Sequence, residues 1–331
     1  MLNSVRVRTS PAALDCIKGE LDRLFNPPSL DARALREAIA AKFQLPVACI
    51  AVGNGSTELM NILAKTKQDR EGEIIISSPS FVLYEQLAKL YGFRLNAVPL
   101  DGYRHDLGKI KQSAGVNTRI IFLDSPANVT GCTIDDADFL AFLGGLPEKT
   151  IVVYDNVYAE YQDRSSESLI RHLVLDNQSS VLVCRSFSKA HCLFGLRIGY
   201  MLGREDLIEP IRRHTMPFSL GSLAQCAALA SLQDDENLGR NVSLNNRAKE
   251  MVCGSLRNLN ISYVPTQSNA LLVNFGDEIG PVESHLAGRG IRVRGQSKCG
   301  IPGHLQVFLI DPDSIQPFIE ALEEYFNRRM S

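Results

Sequence analysis

From about residue 50 to residue 235 the chain alternates, short β-rich apolar runs being followed by segments of helical spacing. EIIIS at 73–77 leads into FVLYEQLAKLYG and then FRLNAVPL. RIIFLD at 119–124 leads into a helix capped by an acidic residue at Asp135. IVVYDN at 151–156, VLVCRS at 181–186 and LRIGYML at 196–202 complete the series, and a further strand is expected at 50–52. Continuous apolar strands separated by helices imply a mostly parallel sheet covered on both faces. LDARALREAIAAKF at 30–43 has i, i+4, i+7 apolar spacing, with Asp31 expected as its N-cap. Residues 204–258 read as helical almost throughout. The pattern then changes: SYVPTQSNALLVNF, GIRVRG and HLQVFL read as strands, and an amphipathic helix closes the chain from about Asp313 to Arg328. The expected division is an arm at 1–30 that returns to the smaller domain or to a partner subunit, a large α/β domain at 31–238 and a smaller α+β domain at 239–331.

Composition narrows the function classes. The 331 residues carry 35 basic and 37 acidic side chains, a formal charge of −2, which gives no basic footprint for nucleic acid. No apolar run approaches the roughly 18–20 residues of a membrane helix. The opening MLNSVRVRTSPAALD has two arginines and no apolar centre, so a short basic arm is expected and a secretory signal is not. The eight cysteines (Cys16, Cys49, Cys132, Cys184, Cys192, Cys226, Cys253, Cys299) form no C-x-x-C pair. They read as small buried hydrophobes in a reducing, cytoplasmic setting. The six histidines are dispersed, so no metal site is expected.

Ligands of open parallel sheets collect at the carboxyl ends of strands, and four such ends carry polar residues. GNGSTEL (Gly53–Leu59) follows the strand at 50–52, SPANVTG (Ser125–Gly131) follows 119–124, YDNVY (Tyr154–Tyr158) ends 150–155, and RSFSKAHCLFGLRIGY (Arg185–Tyr200) follows 181–185. GNGST alone is a weak signal. It exposes backbone N–H groups that suit a phosphate, yet lacks the third glycine of a dinucleotide fingerprint and is no P-loop. The last stretch is stronger: Ser186, Ser188 and Lys189 cluster beside Arg197, the ingredients for a Schiff-base lysine next to a bound phosphate. Most lysines at polar turns are simply solvated. Asp155 at a neighbouring strand end adds a carboxylate able to keep a pyridine nitrogen protonated, although a buried Asp capping a helix is the commoner occurrence.

The run S-x-S-K-A-x-x-L-x-G-L-R-I-G from Ser186 to Gly199 resembles the lysine motif of fold-type I pyridoxal-phosphate aminotransferases, in particular the histidinol-phosphate aminotransferase family. GNGSTEL is similar to that family's phosphate turn, PSFVLY to its aromatic motif, SPANVTG to N-P-x-N-P-T-G, VVYDNVYAEY to D-E-A-Y and SNALLV to S-x-A-N-F, in order across about residues 30–310. The resemblance implies a large domain with a mostly parallel seven-stranded sheet between helices and a smaller α+β domain. It implies pyridoxal 5′-phosphate as cofactor, an amino donor and a carbonyl acceptor as substrates, and a homodimer with shared active sites. It assigns Lys189 to the Schiff base and to proton transfer, Asp155 to the pyridine nitrogen, Asn128 and Tyr158 to the ring hydroxyl, and Phe81 to the ring face. Gly55, Ser56, Thr57, Ser186, Ser188 and Arg197 would hold the phosphate.

Departures concentrate on the substrate side. The family's L-R-I-T-V-G reads HLQVFLID here, with Gln306 where an arginine binds the substrate α-carboxylate. An amide cannot supply a bidentate cation, and losing a buried charged pair costs on the order of 2–5 kcal/mol. Arg294, in GIRVRG after Arg292, resembles a second family arginine that contacts the distal anion; both could equally lie on a solvated strand face. At the amino end SVRVRTSP and FNPPS replace the family's segments, Asn26 or Pro27 standing near a tyrosine that reaches the partner's phosphate. The cofactor residues are kept and the substrate residues altered, which suggests a specialised biosynthetic aminotransferase. A lyase similar to the threonine-phosphate decarboxylases is the alternative. A non-catalytic cofactor-binding protein conflicts with the intact Lys189, Asp155, Asn128 and Arg197, and a nicotinamide enzyme with the failed glycine fingerprint.

Overall fold

The computed structural model describes residues 8–69, 71–176, 179–296 and 300–330. Seven strands form the larger sheet: β1 (Ile50–Gly53), β2 (Glu73–Ser78), β3 (Arg94–Pro99), β4 (Thr118–Asp124), β5 (Ile151–Asp155), β6 (Val181–Ser186) and β7 (Gly199–Gly203). Their order is β1-β7-β6-β5-β4-β2-β3. The β6-β5-β4-β2-β3 block is parallel, and β7 runs antiparallel to both β1 and β6. β2, β4, β5 and β6, rich in branched residues, are buried along almost their whole length, as strands covered on both faces require, while the edge strand β3 is mostly exposed or half-buried.

Helices α1 (Pro11–Leu21), α2 (Arg33–Phe43), α3 (Ser56–Thr66), α4 (Val82–Tyr91), α5 (Leu107–Ser113), α6 (Asp136–Leu143), α7 (Glu167–Leu175), α8 (Glu205–His214) and α9 (Ser222–Leu232) cover the sheet. Alternate residues of each strand face opposite layers. Val52, Ile75, Ile121, Val152 and Val183 pack with Ile39 of α2, Phe139 and Phe142 of α6, Ile170 of α7 and Ala227 of α9. Ile74, Ile76, Phe122, Val153 and Leu182 pack with Leu59 and Leu63 of α3, Tyr84 and Leu87 of α4 and Ile208 of α8.

The long helix α10 (Asp235–Asn258) leads to a second, antiparallel sheet of β8 (Ser262–Val264), β9 (Ala270–Asn274), β10 (Arg294–Gly295) and β11 (His304–Phe308), ordered β10-β11-β9-β8. Helices α11 (Ile279–Gly288) and α12 (Pro312–Met330) complete this unit. Its core joins Val252 and Leu256 of α10, Leu271 and Val273, Leu286, Leu305 and Val307, and Phe318 and Leu322.

Several expectations need correction. Within the arm, α1 packs on the larger unit, against α9, with Ala13 buried in the core beside Ile39 and Val52, while the Arg8 backbone ahead of it exchanges hydrogen bonds with the Asn241 side chain (3.1 and 2.9 Å). Asp31 does not cap α2; Ala32 does, in a left-handed conformation (φ 49°), while Asp31 accepts from Arg36 Nη1 at 2.6 Å. Asp135 stands at the N-cap of α6, but its side chain makes no capping hydrogen bond. Of LRIGYML only Gly199 onward joins the sheet, because 194–196 form a single 3₁₀ turn and Arg197 turns left-handed (φ 52°). Only the end of GIRVRG is a strand. The helical stretch after residue 204 breaks between α8 and α9 at 215–221. Of the cysteines, Cys49, Cys132 and Cys184 are buried, whereas Cys16, Cys192, Cys226 and Cys253 are half-buried; all seven are free thiols. Cys299 lies outside the described residues.

Candidate active site

The strand ends that the sequence singled out converge. Asp155 ends β5 and is register partner to Asp124 at the end of β4. Asn128 and Tyr158, on the loops that follow these strands, are joined by a 2.8 Å bond from Asn128 Nδ2 to Tyr158 Oη. Lys189 follows β6, its Nζ 4.8 Å from the centre of the Tyr158 ring. Burial lowers the Lys189 ammonium below its ordinary range, and Arg197 adds to this while Asp155 opposes it. Burial, reinforced by the charge of Asp155, raises the Tyr158 phenol.

Asp155 is 3% exposed, and its two oxygens are treated differently. Oδ2 accepts from Tyr84 Oη at 2.8 Å, whereas Oδ1 is buried with no hydrogen-bond partner among the described residues. Burial pushes this carboxyl up to about 7, the Tyr84 hydrogen bond opposing the shift and the Asp124 charge adding to it.

A second focus lies at the amino end of α3. Gly55 holds φ 78° at the N-cap and contributes no side chain, so the first-turn N–H groups of Ser56 and Thr57 are not capped. A Cβ on Gly55 would stand 2.8 Å from Arg197 Nη2, which places the guanidinium directly against this turn. Arg197 Nη1 donates to Ser188 Oγ at 3.4 Å, and Ser186 Oγ accepts from the Ser188 backbone at 3.0 Å. Gly199 lets β7 approach the turn, since a Cβ there would meet the Ser56 nitrogen at 2.2 Å. Helix N–H groups, hydroxyls and a guanidinium thus share one corner, a donor set suited to a phosphate. Phe81, at the N-cap of α4, is half-buried and meets Tyr84 edge-on at 5.6 Å between ring centres.

The substrate-side residues behave differently. Gln306 is buried in β11, its Nε2 donating to the carbonyls of Asn128 (2.8 Å) and Val129 (3.2 Å). Arg294 is its register partner on β10 and is exposed.

With this arrangement in place, comparison with known proteins identifies the family. The profile of "Aminotransferase class I and II" matches residues 9–322. The chain belongs to that family. It is 33% identical to a histidinol-phosphate aminotransferase of Symbiobacterium thermophilum over 314 residues, 95% of this chain and 86% of the relative. A histidinol-phosphate aminotransferase of Moorella thermoacetica is 31% identical over 95% of this chain and 82% of its own length. Among solved structures, the histidinol-phosphate aminotransferase of Sinorhizobium meliloti in complex with pyridoxal-5′-phosphate superposes with a TM-score of 0.87 at 22% identity, over 98% of this chain and 88% of that one. The L-threonine-O-3-phosphate decarboxylase of Porphyromonas gingivalis has the same fold, with a TM-score of 0.81 at 21% identity over 97% and 98%.

The chain is therefore a fold-type I aminotransferase whose cofactor is pyridoxal 5′-phosphate. Its residues fit that group: Oδ1 of Asp155 is buried without a hydrogen-bond partner among the described residues, and the Arg197 guanidinium lies against the uncapped Gly55 turn. Three polar residues of this region were not singled out in the sequence. Tyr84 lies one helical turn past Phe81. Asp124 ends a strand, where the strand-end rule could have found it; its Oδ2 accepts from the Asn128 N–H at 2.5 Å. His105 joins Ser77 Oγ (2.6 Å) to the Asp124 carbonyl (2.8 Å), and no spacing in the sequence marks it.

Proposed function

We propose that the enzyme carries an amino group from a donor to a carbonyl acceptor through Lys189, in a specialised biosynthetic reaction. The observation that carries the reading is Oδ1 of Asp155, buried and without a partner among the described residues at a central strand end beside Lys189. The bound cofactor supplies an aldehyde for the amino group and a ring that accepts the electrons of the breaking Cα bond. Lys189, whose ammonium burial holds below its ordinary range, would bond the cofactor and would then move the substrate's Cα proton as general base. Asp155 would hold the ring nitrogen protonated, Asn128 and Tyr158 would bond the ring hydroxyl oxygen, and Phe81 would cover a ring face. Gly55, Ser56, Thr57, Ser186, Ser188 and Arg197 would hold the phosphate.

Gln306 sets the substrate class. With its amide hydrogens committed to two backbone carbonyls, position 306 offers no cation to an α-carboxylate. Arg294 on the adjacent strand remains for a distal anion, a combination that suits an amine or an amino-alcohol phosphate.

A homodimer is the proposed assembly. Phe25 (84% exposed) and Met216 (72%) are flanked by the exposed Leu24, Leu30 and Phe218. The Phe218 N–H donates to the Leu30 carbonyl at 3.3 Å, so the two segments form one apolar face for a second copy. The free thiols support a reducing, cytoplasmic setting.

A donor panel mixed with the loaded enzyme tests the reading. Amination of the cofactor, followed by mass spectrometry, together with release of the matching carbonyl product, is expected. Carbon dioxide release without cofactor amination would replace it by the lyase.

A further inference from the structure

Asp155 is surrounded by groups that pull in opposite directions. From β4 the Asp124 carboxylate repels its charge. From the loops after β5 and β6 the Val157 N–H and the Lys189 ammonium favour its charge. Cys184 on β6 and Tyr158 face it as neutral groups, their own ionisation suppressed by burial. From α4 comes Tyr84, with neither the ring nor the hydroxyl exposed. Its ring stacks on Phe122 with centres 4.5 Å apart and 5° between planes, and Phe81 meets it edge-on. Burial and the Asp155 charge hold the Tyr84 phenol well above its usual range, so its hydroxyl stays protonated and can only donate to the carboxylate.

We infer that Tyr84 is a positioning residue for the cofactor. By fixing Oδ2 of Asp155 from a stacked, immobile ring, it turns Oδ1 toward the ring nitrogen and keeps the carboxylate charged against burial and against Asp124. The inference rests on the proposed role of Asp155 and adds to it. A carboxylate free to rotate about χ2 presents either oxygen; one locked at Oδ2 presents a single one. Because α4 also carries Phe81, one helix would both cover the ring and, through Tyr84, set the carboxylate that meets its nitrogen.

Tyr84→Phe keeps the stacked ring and removes only the hydroxyl. The test is titration of cofactor into cofactor-free protein from pH 5 to 9, with thermal unfolding of the same cofactor-free protein across that range. The wild type binds pyridoxal phosphate, and Tyr84→Phe binds about 10- to 100-fold more weakly, the value of one hydrogen bond to a charged group. In the variant the carboxyl titrates higher, so the pH at which the loss of cofactor-free stability levels off moves upward. Leu63→Ala on α3 serves as control: it loosens the same core layer and leaves both the Tyr84 stack and its hydroxyl, lowering the unfolding temperature without moving that pH. Unchanged affinity and an unmoved pH transition in a Tyr84→Phe protein would overturn the inference while leaving the cofactor reading intact. A wild type that fails to bind pyridoxal phosphate would overturn both.

Discussion

Asp155 makes the protein without its cofactor sensitive to pH in an unusual direction. Its carboxyl is pushed from the ordinary 3.8 up to about 7 by burial. A group held more basic in the folded state stabilises the fold fully below its unfolded value, and this stabilisation is lost as pH rises toward the folded value. Cofactor-free protein should therefore lose about 4 kcal/mol from this one group between pH 4 and pH 7, with no further loss from it above. Asp155→Asn should flatten that change in thermal unfolding curves; an unaltered profile would show that Asp155 is not the group responsible. Gln306→Arg, read as KM for common α-amino acids, should lower that KM at least several-fold by restoring a cation. No gain would show that position 306 is not the missing carboxylate anchor. Gln306→Leu should instead lower stability by about 1–3 kcal/mol, because it leaves two carbonyls at a buried contact without their donor. Residue types at strand ends were legible because sheet geometry says where ligands collect. Tyr84 was not, since its meaning depends on Asp155, 71 positions away in the chain.

At the scale of elements, two contacts are made by the absence of a side chain. Gly199 lets β7 touch the Gly55–Ser56 turn, and Gly131 (φ 75°) lets the loop after β4 meet Thr266, whose Oγ1 would stand 1.8 Å from an added Cβ. Gly199→Ala should force the turn away from Arg197, weakening cofactor binding at least tenfold with the strands otherwise retained, as followed by absorbance titration and circular dichroism. Normal affinity in that variant would mean that the close approach is dispensable. The strands themselves were plain in the sequence, because runs such as IVVYD are buried on both faces and need no alternation. The stretch before Gly199 misled for a physical reason. LRI has the composition of a strand, yet Arg197 adopts a left-handed turn that brings its guanidinium to the Gly55 turn. Asp31 misled likewise, since its charge is taken by Arg36 rather than by the helix end.

The whole molecule combines a unit built on the larger sheet with a smaller sheet fastened onto it. Gln306 reaches the carbonyls after β4, and the Gln267 N–H donates to the Gly131 carbonyl at 2.9 Å. The two-unit plan and the family motifs were readable from the chain. The docking of α1 on α9 was not, because a short amphipathic helix carries no label for the surface it will cover. If the apolar face around Phe25 and Met216 joins two copies, the double substitution Phe25→Glu, Met216→Glu should shift the mass by light scattering from dimer to monomer. A wild type already monomeric at micromolar concentration would contradict the proposed assembly. The central claim, amino transfer through Lys189, is tested most directly by one spectroscopic titration. Loaded wild type should show a visible band from the lysine-bound cofactor that an amino donor bleaches in stoichiometric amount as the carbonyl product appears, and Lys189→Ala should show neither the band nor the product. A Lys189→Ala protein that keeps the band and still turns over the donor would contradict it.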